Sequence, residues 1–464
     1  MKLNKKALLG TIVILFSTHI FAQNTNTAID TAKLNDYLTR VNKAYHIPGM
    51  AFYITTPNST LFENTYGQCT DFDQLFFIGS ESKSFTALCI MQLVEQGKVS
   101  LDDDITKYLN EYQFSKTVTV RDLLNQTSGF GTHMKLFNVK VESHYGTYEY
   151  ANVNYDLLGK IIEKASGTSY AQYVSEHIFK PLEMEHSSAD AASVKGNPTL
   201  LKGNRNWFGI FIRGDADYPQ ANSWFHESAG FIATTPRNQQ NYLRMYLNDG
   251  RAPDGTSIIS KESIQSMWYD NVPIDKENSA RYGMGWNYMN YDGATIIFHG
   301  GQVENYITYM FILPQKQIAV SFMINGNDEF GMNALMDKVF WDSLAIIYAQ
   351  EPKKINTFAY TGIHLLLDLL YLAMITLSVI TLVAALRKNA KPRKKAQSIA
   401  LSIICYVLWP ILLLSFARQF FATPLWVVKS YVPDLFFVIM ISVAISLAGG
   451  ITKLIRRIRH SHRD

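Results

Sequence analysis

Gly79-Ser80-Glu81-Ser82-Lys83-Ser84-Phe85-Thr86-Ala87 lies between a short apolar run and an amphipathic stretch, and its reading organises the rest of the chain. Leu75-Phe76-Phe77-Ile78-Gly79 predicts a short buried strand ended by glycine. After it Phe85, Leu88, Ile90, Met91, Leu93 and Val94 recur at helical spacing until Gly97. Ser80 is thereby placed at a strand-to-helix junction, where its N–H is one of the unpaired amides of a helix N-terminus and can stabilise an oxyanion. Lys83 follows one turn later on the same face, with Cβ atoms roughly 5 to 6 Å apart. A serine hydroxyl is inert near neutral pH unless a base accepts its proton, and lysine can be that base when burial or a nearby cation lowers its pKa. Ser80 is the only serine of the chain with lysine three residues on.

Two further groups could serve this pair. Tyr150-Ala151-Asn152 follows Gly146-Thr147 and precedes a helical pattern from Tyr155 to Glu163. Tyr-x-Asn also occurs at Tyr108, Tyr246 and Tyr288, so the tripeptide alone says little. In this place a phenol whose pKa is lowered by a lysine cation could relay protons, and an amide could hold both the lysine and a substrate amide. His299-Gly300-Gly301-Gln302 ends the strand pattern of 294–298, and its glycines would let a ligand backbone approach closely. His299 would hydrogen-bond a substrate carboxylate or carbonyl.

The ends of the chain set its surroundings. Lys2, Lys5 and Lys6, the apolar stretch 7–21 and Ala22-Gln23 have the layout of a signal peptide over residues 1–22. Three apolar stretches, 361–386, 398–417 and 433–451, are each long enough to span a bilayer. Arg387, Lys388, Lys391, Arg393, Lys394 and Lys395 follow the first, and Lys453, Arg456, Arg457, Arg459 and Arg463 follow the third. The positive-inside rule puts both groups in the cytoplasm and the preceding region outside, leaving 452–464 as a basic cytoplasmic tail. The net charge of +4 is concentrated there: removing the six cations of the loop, the net four of the tail and the three N-terminal lysines leaves −9 on the rest. Nucleic-acid binding therefore has no support. The three cysteines form no disulfide framework: Cys405 lies within a span, and Cys89 is read as a buried thiol on the apolar helix face that Cys69 could approach. No cluster has zinc-ligand spacing, and neither a metal nor another cofactor is expected.

Residues 28–355 carry no long linker, repeat or low-complexity tract. Helical patterns cover 34–45, 84–96, 154–165, 170–179 and 237–248, and strand patterns cover 51–55, 295–299, 307–312 and 318–324. Strands at both ends with helices between predict an α+β unit whose sheet is completed by the chain's return.

The motifs and their order resemble the serine β-lactamase-related family of class C β-lactamases and penicillin-binding-protein-like peptidases and esterases. The resemblance rests on the Ser80 segment, on Arg121-Asp122-Leu123-Leu124-Asn125-Gln126-Thr127-Ser128-Gly129, and on Tyr150-Ala151-Asn152. Ser228-Ala229-Gly230-Phe231-Ile232-Ala233-Thr234-Thr235, Tyr282-Gly283-Met284-Gly285-Trp286 and His299-Gly300-Gly301 complete it. It implies a β-lactamase/transpeptidase-like fold, an antiparallel sheet flanked by helices plus a helical lobe, followed here by three transmembrane helices. It further implies Ser80 as acylated nucleophile, Lys83 as its base, Tyr150 as proton relay, Asn152 as holder of Lys83 and substrate, and the N–H groups of Ser80 and Gln302 as oxyanion hole.

Departures steer the expected activity. His-Gly-Gly replaces the family's Lys-Thr-Gly, which weakens the grip on a β-lactam carboxylate. Glu304 and Asn305 stand where a small turn is usual, and the segment between Gly129 and Tyr150 is short, which predicts an open pocket wall. The arrangement of signal peptide, catalytic domain and three spans resembles colibactin-maturing inner-membrane peptidases, which remove an N-acyl-D-asparagine group. By that resemblance Asn305 and His226 would read a polar substrate side chain. The expected activity is hydrolysis, at a bacterial inner membrane, of an amide or ester next to a D-amino acid in a small molecule or peptide. The alternative is a weak β-lactamase or penicillin-binding sensor. A transporter has little support, because the polar residues of the spans are few.

Overall fold

The computed structural model describes residues 28–275, 280–387 and 395–461. The signal-peptide stretch lies outside them, as do Lys388, Lys391, Arg393, Lys394 and Arg463.

Among the described residues there are twelve strands: β1 (Gly49–Thr55), β2 (Thr60–Gly67), β3 (Phe76–Phe77), β4 (Asn204–Trp207), β5 (Ile210–Arg213), β6 (Ala233–Thr234), β7 (Val272–Pro273), β8 (Arg281–Gly283), β9 (Trp286–Tyr291), β10 (Ala294–Val303), β11 (Tyr306–Leu313) and β12 (Ile318–Ile324). Eight form one antiparallel sheet in the order β2-β1-β12-β11-β10-β9-β8-β7. The expected closure by the returning chain is the pairing of β1 with β12, Met50 opposite Ile324 through Thr55 opposite Ala319. Every residue of β1, β11 and β12 is buried because both faces are covered. One face meets the helix Thr31–Ala44 and the helix Met332–Ile347, with Leu34, Val41, Phe52, Phe322 and Phe340 in the shared core. The other meets the helical lobe, through Phe85, Leu88, Tyr155, Tyr242 and Trp286.

The predicted strand at Leu75–Gly79 is shorter and belongs elsewhere. Phe76 and Phe77 pair with Thr234 and Ala233 rather than with the large sheet. Gly79 has φ +53°, and a Cβ there would lie 2.2 Å from the amide nitrogen of Gln302. Only glycine permits both the left-handed turn and this approach to β10. The edge is open because β9 stops pairing with β10 at Phe298, leaving His299–Val303 for the Ser80 segment to lie against.

Beyond the sheet, Tyr360–Leu386, Ser398–Phe416 and Pro433–Arg456 are long and apolar enough to cross a membrane. The connection between the last two contains a short helix, Leu425–Tyr431, that no apolar periodicity in the sequence predicts. Its Val427, Val428 and Tyr431 pack with Tyr371, Leu413 and Leu435 of these apolar helices, and Trp224, far earlier in the chain, packs against the same cluster.

Candidate active site

The helix Ser82–Glu95 is preceded by a 3-10 turn, Gly79–Glu81, that carries Ser80. Residues 81–93 are all buried, while Ser80 is partly exposed. The turn is clamped from both sides. Thr308 donates to the carbonyl of Ile78 at 3.0 Å, the amide of Ile78 donates to Ile232, and Ser82 Oγ donates to Gly79 while accepting from the Ile232 amide. A Cβ on Gly301 would strike the Ile78 carbonyl at 1.8 Å, so β10 also needs glycine at this crossing.

Lys83 Nζ lies 3.0 Å from Ser80 Oγ, 2.8 Å from Asn152 Oδ1 and 2.6 Å from the Ala229 carbonyl oxygen. Burial lowers its pKa to about 7, with Asp156 pulling weakly the other way. A neutral amine has two N–H bonds and one lone pair. The Asn152 and Ala229 oxygens can only accept, so they take the two N–H bonds and leave the lone pair for the Ser80 hydroxyl. This geometry suits a base. The amine also lies 4.8 Å from the Tyr150 ring centroid and 5.7 Å from that of Tyr155.

Tyr150 departs from expectation. The proton relay read from the sequence is conditional on a lysine cation lowering its pKa; instead burial raises it, and a hydrogen bond with Ser80 offsets this only in part. The phenol stays protonated and can pass a proton on without ever being a stable phenolate.

His299 is buried, with ring centroids 6.5 Å from Tyr150 and 5.9 Å from Tyr282. Burial and the Lys83 charge depress its pKa to about 3, so the ring is neutral at physiological pH. Nδ1 is 2.7 Å from the Gly300 carbonyl, which only accepts and so fixes the proton on Nδ1. Nε2 is then a lone-pair acceptor, and it is buried without a protein partner. The expected grip on a substrate carboxylate or carbonyl requires a donor. As placed, His299 offers an acceptor.

Two expected substrate-reading residues are not free. Asn305 is fully buried: its Oδ1 accepts from Arg205 Nε, and its Nδ2 donates to the Gly214 carbonyl at 2.7 Å. His226 Nδ1 faces Asp156 Oδ2 at 2.9 Å, and its Nε2 faces the Gln220 carbonyl at 3.1 Å. Both residues hold loops together. The Gln302 amide nitrogen lies beside Gly79, the residue before Ser80, while its side chain donates to Asn327 at 3.0 Å and to Glu329 at 2.7 Å.

Sequence reasoning missed several participants. The Ala229 carbonyl has no side-chain signal. Glu81 sits fully buried, its pKa raised by burial, accepting from Gln239 Nε2 at 2.5 Å. The segment between the second and third candidate spans contributes as well. Trp426 meets the rings of Trp224 (5.5 Å) and His133 (6.2 Å) edge-on, and Lys135 Nζ lies 4.6 Å over the Trp426 ring. The segment 130–149, expected to leave the pocket wall open, is thus buttressed by the short helix Leu425–Tyr431. Cys69 and Cys89 are buried free thiols. Among the described residues no cluster of three or more histidine, cysteine, aspartate or glutamate side chains could hold a metal.

A sheet with a lysine-paired serine at a helix start, flanked by Tyr-x-Asn and a glycine-rich edge strand, defines a class, and a family model agrees. The model described as Beta-lactamase matches residues 34–339, and the chain belongs to that family. Among curated proteins it is similar to "Protein flp" of Staphylococcus aureus strain MW2, 26% identical over 320 residues, which is 61% of each protein. It thus spans about three fifths of that relative's length. Penicillin-binding protein 4 of Amycolatopsis lactamdurans is 23% identical over 64% of this chain and 86% of its own. Among solved structures, the octameric penicillin-binding protein homologue from Pyrococcus abyssi aligns with a TM-score of 0.59 and 26% identity, over 72% of this chain and 80% of that one. The D-amino acid amidase from Ochrobactrum anthropi SV3 complexed with L-phenylalanine amide aligns with a TM-score of 0.55 and 22% identity, over 67% of this chain and 98% of that one, and shares the fold.

Proposed function

We propose that this chain is a membrane-anchored serine hydrolase that cleaves an amide or ester bond next to a D-amino acid through an acyl-enzyme on Ser80. The observation that carries the reading is the Lys83 amine, with a pKa of about 7 and two obligate acceptors that turn its lone pair toward Ser80 Oγ. Lys83 takes the Ser80 proton as Oγ attacks the carbonyl carbon, and the Ser80 and Gln302 amides receive the developing oxyanion. Tyr150 passes a proton to the leaving amine or alcohol as the old bond breaks. Water then attacks the ester, losing its proton through Tyr150 and Lys83, and Ser80 leaves protonated. Asn152 steadies Lys83 throughout. The neutral His299 supplies no cation for a β-lactam carboxylate and supports a substrate that presents a hydrogen-bond donor there.

In this reading residues 1–22 are a signal peptide, 28–355 the catalytic domain, 361–451 the anchor and 452–464 a cytoplasmic tail. The catalytic domain faces the outside of a bacterial cytoplasmic membrane. The test is turnover of a panel of D- and L-amino acid amides, D-alanyl esters and N-acyl-D-amino acid peptides by membranes carrying wild type or Ser80→Ala. Fluorescent penicillin labelling runs in parallel. Turnover of D-substrates that disappears in Ser80→Ala supports the proposal. Equal turnover in both proteins removes Ser80 from the mechanism, and labelling without turnover points to a penicillin-binding sensor.

A further inference from the structure

Six large apolar side chains are exposed on the described part of the catalytic domain, Leu61, Phe137, Phe208, Ile210, Ile212 and Tyr269, and three of them belong to the single hairpin β4–β5. Phe208 is 47% exposed, Ile210 66% and Ile212 52%, and an apolar surface of this kind on one hairpin is expected to have a partner. The hairpin rests on the membrane domain. Trp207 stacks on Phe437 at 5.6 Å, Phe208 meets Tyr371 edge-on at 5.8 Å, and the Phe208 amide donates to Asp434 Oδ2 at 3.0 Å. Counting about 20 residues back from Leu386, before Arg387, puts the edge of the hydrocarbon core near Leu367. Tyr371 then lies just inside that core, and the hairpin tip lies at its boundary. Leu365, Leu366 and Leu369 of the first span are exposed as well, and Leu365 shares a groove with Phe208 and Gly209 of the hairpin tip.

Beside the tip, between the first span and the helix Thr31–Ala44, runs a groove of about 930 Å³. Phe208, Gly209, Tyr360 and Leu365 line it, with the cations Arg40 and Lys43 contributed by the helix Thr31–Ala44 and one carboxylate, Asp368, contributed by the first span. Arg40 is paired with Asp36 at 2.9 Å, so Lys43 is the lysine or arginine of the groove without an acid partner among the described residues. Apolar side chains near the core boundary and two cations in one groove match a phospholipid, its acyl chain against the former and its phosphate at the latter.

We propose that the β4–β5 hairpin is inserted into the bilayer leaflet on the catalytic domain's side, and that a phospholipid occupies the adjoining groove with its phosphate at Lys43 and Arg40. The hairpin is also tied to the active-site sheet. Arg205 of β4 bonds Asn305 in the β10–β11 turn, pairs with Asp217 and donates to the Ser430 carbonyl at 3.4 Å. The cleft is thereby held against the lipid surface, where an acylated substrate would partition.

The proposal rests on the reading of the C-terminal helices as membrane-spanning, and the experiment separates the two. Full-length protein with Cys69, Cys89 and Cys405 replaced by serine is given a single cysteine in place of Ile210, Leu372 or Asp254, labelled with an environment-sensitive nitrobenzoxadiazole dye. It is then placed in nanodiscs of phosphatidylcholine and phosphatidylglycerol. Doxyl groups at carbon 5 of the acyl chain should quench the dye at positions 210 and 372, and aqueous iodide should quench it at 254. If 372 is quenched by doxyl lipid and 210 only by iodide, the hairpin proposal is overturned while the spans stand. If 372 is quenched only by iodide, the spanning reading itself fails. Native mass spectrometry should show a phospholipid retained by wild type and lost in Lys43→Glu/Arg40→Glu. Equal retention removes the groove as its site. Ile210→Asp/Ile212→Asp, both at exposed positions, should lower turnover of a long-chain N-acyl substrate about tenfold and leave a water-soluble D-amino acid amide unchanged. Equal loss on both would count against the membrane role.

Discussion

Around Ser80 the polar groups keep one bonding valence turned toward the nucleophile, whereas around Asn305 and His226 every polar valence is spent on the scaffold. Lys83 gives two N–H bonds to fixed acceptors and keeps its lone pair for Ser80. Asn305 gives both ends of its amide to Arg205 and Gly214, and His226 gives both ring nitrogens to Asp156 and Gln220. Both regions are buried, and the same residue types occur in each. What separates machinery from framework is whether the last valence has a protein partner.

The largest effects should fall where that valence is removed. Lys83→Gln keeps much of the side chain's bulk but supplies no base, and kcat/KM should drop about ten-thousandfold or more while Tm moves little. Asn152→Ala frees one N–H of the amine and should cost about a hundredfold. Asn305→Ala should reverse the pattern. It leaves Arg205 and the Gly214 carbonyl short of partners and costs about 1 to 3 kcal/mol of stability, with little change in kcat for the protein that remains folded. Thermal melts beside kinetics on all three would break the comparison if Asn305→Ala lost activity at unchanged Tm.

The pH profile sharpens it. With Lys83 lowered to about 7, the neutral form is lost as pH falls below that value, so kcat/KM should decline about tenfold per pH unit on the acid side. His299, depressed to about 3, stays neutral over that range and should add no second limb. His299→Lys restores a cation where the ring is neutral. Acylation by an anionic penicillin should rise about tenfold, the worth of one charge-assisted hydrogen bond, measured by fluorescent labelling. An unchanged rate would mean that position 299 does not face the carboxylate.

Much of this was legible in the sequence because it is carried by side-chain type at fixed spacing. Ser80 and Lys83 share a helix face, and the four predicted strands, β1, β10, β11 and β12, and the five predicted helices lie within a few residues of their expected bounds, whereas β2, β7, β8 and β9 of the same sheet carried no alternating pattern strong enough to read. The Ala229 carbonyl left no trace, since any residue supplies one. Asn305 and His226 follow apparent motifs, but spacing does not reveal whether a loop 90 residues away will saturate an amide. The β4–β5 hairpin was missed for a related reason. Asn204-Arg205-Asn206-Trp207 and Ile210-Phe211-Ile212-Arg213 are short, and the apolar tip between them satisfies no core pattern of its own domain because it packs on Tyr371 and Phe437 of the C-terminal apolar helices. The helix Leu425–Tyr431 was hidden likewise, seven residues between two spans.

The smallest effect concerns Glu304, which belongs to neither region completely. Its carboxyl is buried, one oxygen has no protein partner, and burial together with Asp217 raises its pKa to about 7. A carboxyl whose folded pKa exceeds its unfolded value holds its proton more tightly in the native state. It therefore contributes stability that is complete below the unfolded pKa, near 4.5, and is lost as pH rises through about 7. Glu304→Gln keeps the shape and removes the titration. Tm of wild type should fall by a few degrees relative to the variant between pH 5 and 8, with activity at pH 7 nearly equal in the two. Parallel Tm curves would show that Glu304 is already ionised in the fold, paired with Arg205 as one more scaffold contact. A matching loss of activity in Glu304→Gln would instead move it across the line, from the framework around Asn305 to the machinery around Ser80.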